Sequence, residues 1–379
     1  MRILYFTRDY TTHDRRFLKA FAKTEHEVAY LRLERGYHQL EDRPLPPEIE
    51  QVSWSGGQFP FTWRYLPRLY KDLQRVISAV SPDLIQSGPL QTAAFLVALS
   101  GFEPFISMSW GYDLLINADS NAAYRWITRY TLSHSTAMVG DCDTIRQKAV
   151  SFGMDDDYII TFPWGVEIDH YIPQNHLASS EKPVLREQFG WDDDIFVLLS
   201  TRAWEPIYGV DLIANAFAKL ASERPYLRLL MLGNGSQGGL LRKIFMQAGV
   251  LDQIHFPGQV SGVGLPDYYR AADLYISASH SDGSSISLLE AMACGCPVLV
   301  SDIPGNREWV DPGVQGWLFR DRDHDDLERM LVTVLDEKRQ QLSAMGRSAR
   351  SLAENRADWK SNFPKLINAY DLAIDRARN

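Results

Sequence analysis

The chain predicts an α/β protein of two doubly wound, Rossmann-like domains facing across a cleft. Three observations lead there. Short apolar runs of strand length alternate with stretches of helical apolar spacing through both halves of the sequence. A polar stretch with prolines at Pro173 and Pro183 interrupts that alternation. Finally, 379 residues exceed what one core ordinarily holds, so two domains are the default.

In the first half, Ile3 to Thr7 reads as a strand, Arg15 to Lys23 as a helix burying Phe17, Leu18 and Phe21, and Glu27 to Leu33 as a second strand. A Pro-rich loop around Arg43 to Glu48 leads to a helix over Tyr65 to Val80. Strands follow at Asp83 to Gln86, Phe105 to Met108, Ala137 to Val139 and Tyr158 to Phe162. Strands separated by helices imply a parallel sheet covered on both faces. The second half repeats the logic: strands at Ile195 to Ser200, Leu227 to Leu232, Ile254 to Phe256, Leu274 to Ser279 and Val298 to Ser301, with helices at Val210 to Leu220 and Leu240 to Ala248. The expected boundaries are a first domain over 1–172, a linker at 173–183 and a second domain over 184–358. A terminal helix over 359–379 packs back on the first domain. Ligands of such sheets bind beyond the carboxyl ends of the strands.

Charged residues make up 23% of the chain and hydrophobic ones 45%, ordinary for a globular protein. A net charge of −9 argues against nucleic acid as the main partner. Three cysteines make neither a disulfide framework nor a zinc site, and a buried, reduced role is expected. Met1 to Thr7 is too short an apolar run for a signal peptide, and no segment approaches eighteen consecutive apolar residues. A cytoplasmic protein is the expectation.

The stretch His280 to Asp302, HSDGSSISLLEAMACGCPVLVSD, concentrates the chemistry. Asp282 lies in a Gly/Ser loop and Glu290 on the helix that follows, with seven residues between them. Ser284, Ser285 and Ile286 sit where that helix begins, so uncapped N–H groups and the positive end of the dipole suit a phosphate. Glu290, among Leu288, Leu289, Ala291 and Met292, must find donors, and a vicinal diol supplies two. The same pattern also fits a core helix carrying one solvated glutamate beside an acidic loop. Arg202 follows a strand and precedes Tyr208-Gly209 at a helix start, well placed to clamp a diphosphate with its planar fork; a plain surface arginine fits equally. Leu232-Gly233-Asn234-Gly235 is a tight turn able to approach a phosphate or sugar, although one GxG is weak by itself. The clusters Asp155 to Asp157 and Asp192 to Asp194, and Asp141-Cys142-Asp143, look like metal ligands but sit in loops away from Asp282, and a solvated surface suits them better.

Asp282 to Asp302 closely resembles the Glu, seven residues, Glu signature of family 4 glycosyltransferases with its EAMACGCPV run, and Gly313 to Phe319 resembles that family's NG-hydrophobic loop. The similarity continues through Ser200 to Phe217, Leu230 to Gly235, Ile254 to Gly258, Leu265 to Asp273 and Phe162 to Asp169. In the first half it is weaker, at Ser107 to Asp113 and around Asp83. The resemblance implies the GT-B arrangement, a nucleotide-sugar donor held by the second domain, retention of anomeric configuration, no metal and no other cofactor. It assigns Asp282 to donor-sugar hydroxyls, Glu290 to the ribose diol, Arg202 to the diphosphate and the Ser284, Ser285 and Ile286 amides to a phosphate. Backbone near Gly258 and Val260 would meet the base. The chain departs from the family where Asp282 replaces the usual first Glu, where Tyr208 replaces the diphosphate lysine, and where Trp110 replaces a histidine before Gly111. Arg307 or Lys243 are the candidates to replace the missing cation.

The expected activity is transfer of a sugar from a nucleotide-diphosphate donor to a hydroxyl on a glycan, lipid-linked or small-molecule acceptor, in cell-surface polysaccharide synthesis. The alternatives are an epimerase or phosphorylase on the same fold, or a non-catalytic nucleotide-sugar-binding subunit. Trp63 to Lys71 and Arg125 to Tyr130 interleave basic and aromatic residues, which suits a membrane interface. Leu66, Leu69, Leu73 and Val76 also make an ordinary core stripe.

Overall fold

The computed structural model describes residues 1–33, 41, 43–177 and 185–378. It forms two compact units. The first comprises Met1–Trp164 with Ser361–Asn379, and the second Gly165–Lys360.

The first unit holds a seven-stranded sheet: β1 (Arg2–Thr7), β2 (Glu27–Arg32), β3 (Glu50–Gln51), β4 (Leu84–Gly88), β5 (Phe105–Met108), β6 (Ala137–Gly140) and β7 (Ile159–Thr161). Their order is β3-β2-β1-β4-β5-β6-β7, and every pair is parallel. Central strands are buried along their whole length because helices cover both faces: Leu84 to Gly88 is buried throughout. The first helix, Thr12–Phe21, begins earlier than apolar spacing suggests, because Thr11 and Asp14 form a reciprocal capping box. Helices Leu66–Val80, Ala93–Ser100 and Ala122–Ser133 pack on the sheet, the last capped by Asn121 Oδ1 on the Tyr124 amide at 2.9 Å. The terminal helix, Trp359–Arg378, completes this core. Its Leu366, Ala369, Tyr370 and Ala373 are fully buried, Tyr370 stacks on Phe21 at 6.0 Å, and the Tyr370 hydroxyl donates to Gln86 of β4.

The second unit holds a six-stranded parallel sheet: β8 (Phe196–Ser200), β9 (Leu227–Leu232), β10 (Ile254–Gly258), β11 (Leu274–Ser277), β12 (Val298–Ser301) and β13 (Gly316–Phe319), in the order β10-β9-β8-β11-β12-β13. In both sheets the order reverses beside the first strand of the unit, between β1 and β4 and between β8 and β11. Crevices of doubly wound sheets open at such points, beyond the carboxyl ends. The first crossing between the units, at Trp164/Gly165, precedes the stretch 173–183 expected as linker. Val166 explains this: its amide donates to Ala357 O at 2.7 Å and its carbonyl accepts from the Trp359 amide at 3.0 Å, which ties the chain into the second unit from Gly165 onward. Residues 178–183 of the expected linker lie outside the described residues.

Cys142, Cys294 and Cys296 are free and buried. Burial pushes the Cys294 and Cys296 thiols well up, so they pack as small apolar groups.

Candidate active site in the second unit

Two loops leave the sheet of the second unit at its reversal point. Residues 201–209 follow β8, and residues 278–285 follow β11 and lead into the helix Ile286–Ala293. The buried run Phe196 to Ser200 fixes where Thr201 and Arg202 emerge. Arg202 Nη2 lies 2.8 Å from Asp282 Oδ2, and Arg202 Nη1 donates to Ser285 Oγ at 2.8 Å and Ser287 Oγ at 3.2 Å. Tyr275, at the second position of β11, donates to Ser287 at 2.8 Å. Tyr208 lays its ring 4.1 Å from the Arg202 guanidinium.

Burial alone would lower the pKa of Arg202, but Asp282, with Tyr208, Tyr275 and Tyr269 around it, raises it, so the cation is held firmly charged. The pair is not saturated. Asp282 Oδ2, although 2.8 Å from Arg202 Nη2, and Arg202 Nε are both buried atoms without a hydrogen-bond partner. Buried polar atoms are ordinarily satisfied, and orphans at a strand end mark a place where a ligand supplies the missing partner.

Ser285 is the N-cap of the 286–293 helix but makes no side-chain cap bond, since its hydroxyl is taken by Arg202. The first amides of that helix therefore point out uncapped by it, the arrangement that suits a phosphate. Ser284 accepts from the Trp309 indole at 3.0 Å, and Arg356 lies 4.6 Å over Trp309. Gly305 lets the turn Pro304–Arg307 press on this loop: a Cβ there would meet the Asp282 and Gly283 carbonyls at 2.5 Å.

Glu290 is buried on the inner side of its helix, where Tyr269 donates to its Oε2 at 2.9 Å and Thr201 lies 3.2 Å from the same hydroxyl. Burial and then Glu290 push the Tyr269 phenol well up, so it remains a donor. Each acid thus has its own partner, and both networks meet at the consecutive residues Thr201 and Arg202. Tyr269, Tyr275, Ser287, Thr201 and Trp309 carry this geometry, and nothing in their local sequence singles them out.

Glycines of the 232–235 turn have a packing reason. The Trp204 amide donates to Asn234 O at 2.8 Å, and a Cβ on Gly235, whose φ is +155°, would lie 2.5 Å from Trp204 O. The turn is thereby clamped to the 201–209 loop. Gly258 ends β10 with φ +75°, its carbonyl taken by the Gly233 amide at 2.8 Å, and Val260 packs half-buried on the core. Arg307 is engaged with Asp302 through two contacts at 2.6 and 3.0 Å on the surface, and Lys243 is exposed on the helix Gly238–Ala248. Among the aspartate clusters, Asp156 pairs with Arg146 at 2.7 Å, and Asp155 and Asp192 each cap a backbone amide two residues on.

Residues 181–352 match the family model for glycosyl transferases group 1, and residues 2–141 match that for glycosyl transferase 4-like domains. A D-inositol 3-phosphate glycosyltransferase of Geodermatophilus obscurus is 30% identical over 242 residues, which are 62% of this chain and 51% of that relative. Another, from Thermomonospora curvata, is 28% identical over 61% of this chain and 55% of the relative. The chain thus spans about half the length of the named relatives it matches. Among solved structures, Anabaena HepE, determined with UDP and glucose, aligns over 98% of this chain and 99% of its own with a TM-score of 0.77 at 18% identity. The sucrose-phosphate synthase of Thermosynechococcus elongatus aligns over 98% of both chains with a TM-score of 0.79 at 15% identity. At such identities these two speak to the fold, which is GT-B. With one family model on each of its units, the chain belongs to the group 1, family 4-like glycosyltransferases.

Proposed function

We propose that this protein is a retaining glycosyltransferase that moves a sugar from a nucleotide-diphosphate donor to a hydroxyl of a glycan, lipid-linked or small-molecule acceptor in cell-surface polysaccharide synthesis. The observation that carries this reading is the unsaturated Arg202–Asp282 pair beside an uncapped helix start. A diphosphate satisfies Arg202 and the amides, while a sugar hydroxyl donates to Asp282. Glu290 takes the ribose diol, and backbone near Gly258 and Val260 takes the base. A fold neighbour holding UDP and glucose makes a UDP-hexose the first donor to test.

The catalytic demand is stabilisation of the leaving diphosphate. Arg202 and the helix dipole supply positive potential there without a metal, and Tyr208 holds the guanidinium plane where the family has a lysine. Reaction on one face lets the leaving phosphate oxygen accept the acceptor's proton, so no enzymatic base is needed. The protein works in the cytoplasm with peripheral contact to the inner membrane face. Among the described residues no helix is long and apolar enough to cross a membrane.

Purified protein incubated with UDP-hexoses should release UDP and a sugar of unchanged anomeric configuration, observed by NMR, and should do so equally in EDTA. Inversion would overturn the retaining assignment. Loss of activity in EDTA restored by magnesium or manganese would overturn the metal-free one. Nucleotide binding without turnover on any donor would leave a binding subunit.

A further inference from the structure

The first unit carries an apolar cavity that the transfer chemistry does not use. It measures about 360 Å³ and is lined by Phe61, Trp63 and Leu66 from the turn and start of the 66–80 helix, Phe95 from the 93–100 helix, and Tyr124 and Ile127 from the 122–133 helix. Phe95 is its buried floor. Around that ring stand Trp63 at 6.4 Å, Trp126 at 5.9 Å and Tyr130 at 5.8 Å, all edge-on. Trp63 is 62% exposed and Trp126 52%, whereas Leu69, Leu73 and Val76 of the 66–80 helix are buried core. The leucine stripe is thus core, while the outward tryptophans lie ahead of that helix and on the 122–133 helix.

Charge completes the pattern. Arg64, Arg68, Lys71, Arg125 and Arg129 are all exposed, and neither Phe59–Lys71 nor Asn121–Ser133 contains an acid, in a chain of net charge −9. The nearest carboxylates belong to the flanks: Asp119 pairs with Arg125 and Lys148, and Asp72 is buried against Arg75 and Arg68. Exposed tryptophans packed on the ring that floors an apolar cavity, in two stretches that carry cations and no acid, match an interface where hydrocarbon lies below anionic headgroups. Self-association through these two stretches is disfavoured, because they carry five cations and no acid for a second copy to pair with.

We infer that this face docks on an anionic phospholipid bilayer, with one acyl chain entering the cavity over Phe95, Trp63 and Trp126 at headgroup level, and the five cations on lipid phosphates. The inference gives the proposed peripheral membrane contact a defined site and rests on that reading for its compartment alone.

Co-sedimentation with phosphatidylcholine vesicles, with and without phosphatidylglycerol, tests it. The protein should sediment with the anionic vesicles at low salt, stay in solution with the zwitterionic ones, and release as ionic strength rises. Trp63→Ser with Trp126→Ser should weaken binding tenfold or more, and Arg64→Gln or Arg129→Gln roughly fivefold each. Phosphatidylglycerol brominated on its acyl chains should quench tryptophan fluorescence in the wild type and less in Trp63→Phe with Trp126→Phe. Circular dichroism confirms the fold of each variant. No vesicle binding, equal binding to both vesicle types, undiminished binding of the tryptophan variant, or a dimer that this variant abolishes would each overturn the inference. UDP-hexose hydrolysis measured on the same preparations separates the two readings. Hydrolysis without vesicle binding removes the lipid site alone, and vesicle binding without hydrolysis removes the transfer activity alone.

Discussion

Three acids beyond the strand ends, two in the first unit and one in the second, serve in opposite ways. In the first unit, Asp14 is fully buried yet takes the Thr11 amide at 2.7 Å, the Thr11 hydroxyl at 2.6 Å and the Tyr5 hydroxyl at 3.1 Å. Asp113 takes the Leu90 and Trp110 amides at 2.9 Å and the Ser109 hydroxyl at 2.8 Å. Both are knots that fasten loops. In the second unit, Asp282 faces a buried cation and still leaves an oxygen without a hydrogen bond. Asp14 and Asp113 are thus closed by their neighbours while Asp282 is not, and the difference lies in whether local donors saturate each acid. An acid saturated by neighbours holds structure; one left short is available to a ligand.

The largest way to break that contrast is Arg202→Gln. It leaves the half-buried Asp282 without its cation, a loss of about 1–3 kcal/mol for a pair partly open to solvent. Affinity for UDP, read by calorimetry, should fall about a hundredfold or more, with a lower unfolding midpoint. An affinity within a few fold of wild type would remove Arg202 from the diphosphate site.

Asp14→Asn tests one of the closed acids. Burial, partly offset by the Thr11 and Tyr5 hydrogen bonds, raises the Asp14 carboxyl from 3.8 to about 6. Between those values the folded protein keeps a proton that the unfolded chain has released, so this group's contribution to stability falls as pH rises from about 4 to about 6 and is level above. The stability difference between wild type and variant should therefore shrink by about 3 kcal/mol over that window, measured by urea unfolding. A difference that does not vary with pH would show that Asp14 is not a raised acid.

Glu290→Gln keeps the shape and removes the charge offered to a diol. A charge-assisted bond is worth about 1.5–3 kcal/mol, so UDP affinity should drop tenfold or more while circular dichroism stays intact. Unchanged affinity in a folded variant would return Glu290 to a purely packing role with Tyr269.

Tyr208→Leu is the mildest change. It removes a cation–π contact worth about 0.5–2 kcal/mol, and UDP-hexose turnover should fall by a few fold up to about thirtyfold. Tyr208→Lys places the family's cation beside Arg202, and turnover should rise if leaving-group charge limits the rate. Equal turnover in all three proteins would show that Tyr208 does not position Arg202.

Much of this protein was fixed by local pattern. Runs such as Leu227 to Leu232 and Val298 to Ser301 read as buried strands from their length and composition, and their ends fall where apolar spacing puts them. The 286–293 helix, its start at Ser285 and the placement of Arg202 after a strand follow equally from residues close in sequence. Contacts between distant residues were decided only by the tertiary structure. Tyr269 reaches Glu290 across 21 residues, Arg202 reaches Ser285 across 83, and Trp63 shares the Phe95 ring with Trp126. Periodicity reports which face of an element is apolar, but it does not say which polar side chains the topology will bring together. Strand order does that: by setting β11 beside β8, it puts Asp282 on Arg202 and leaves both short of a partner.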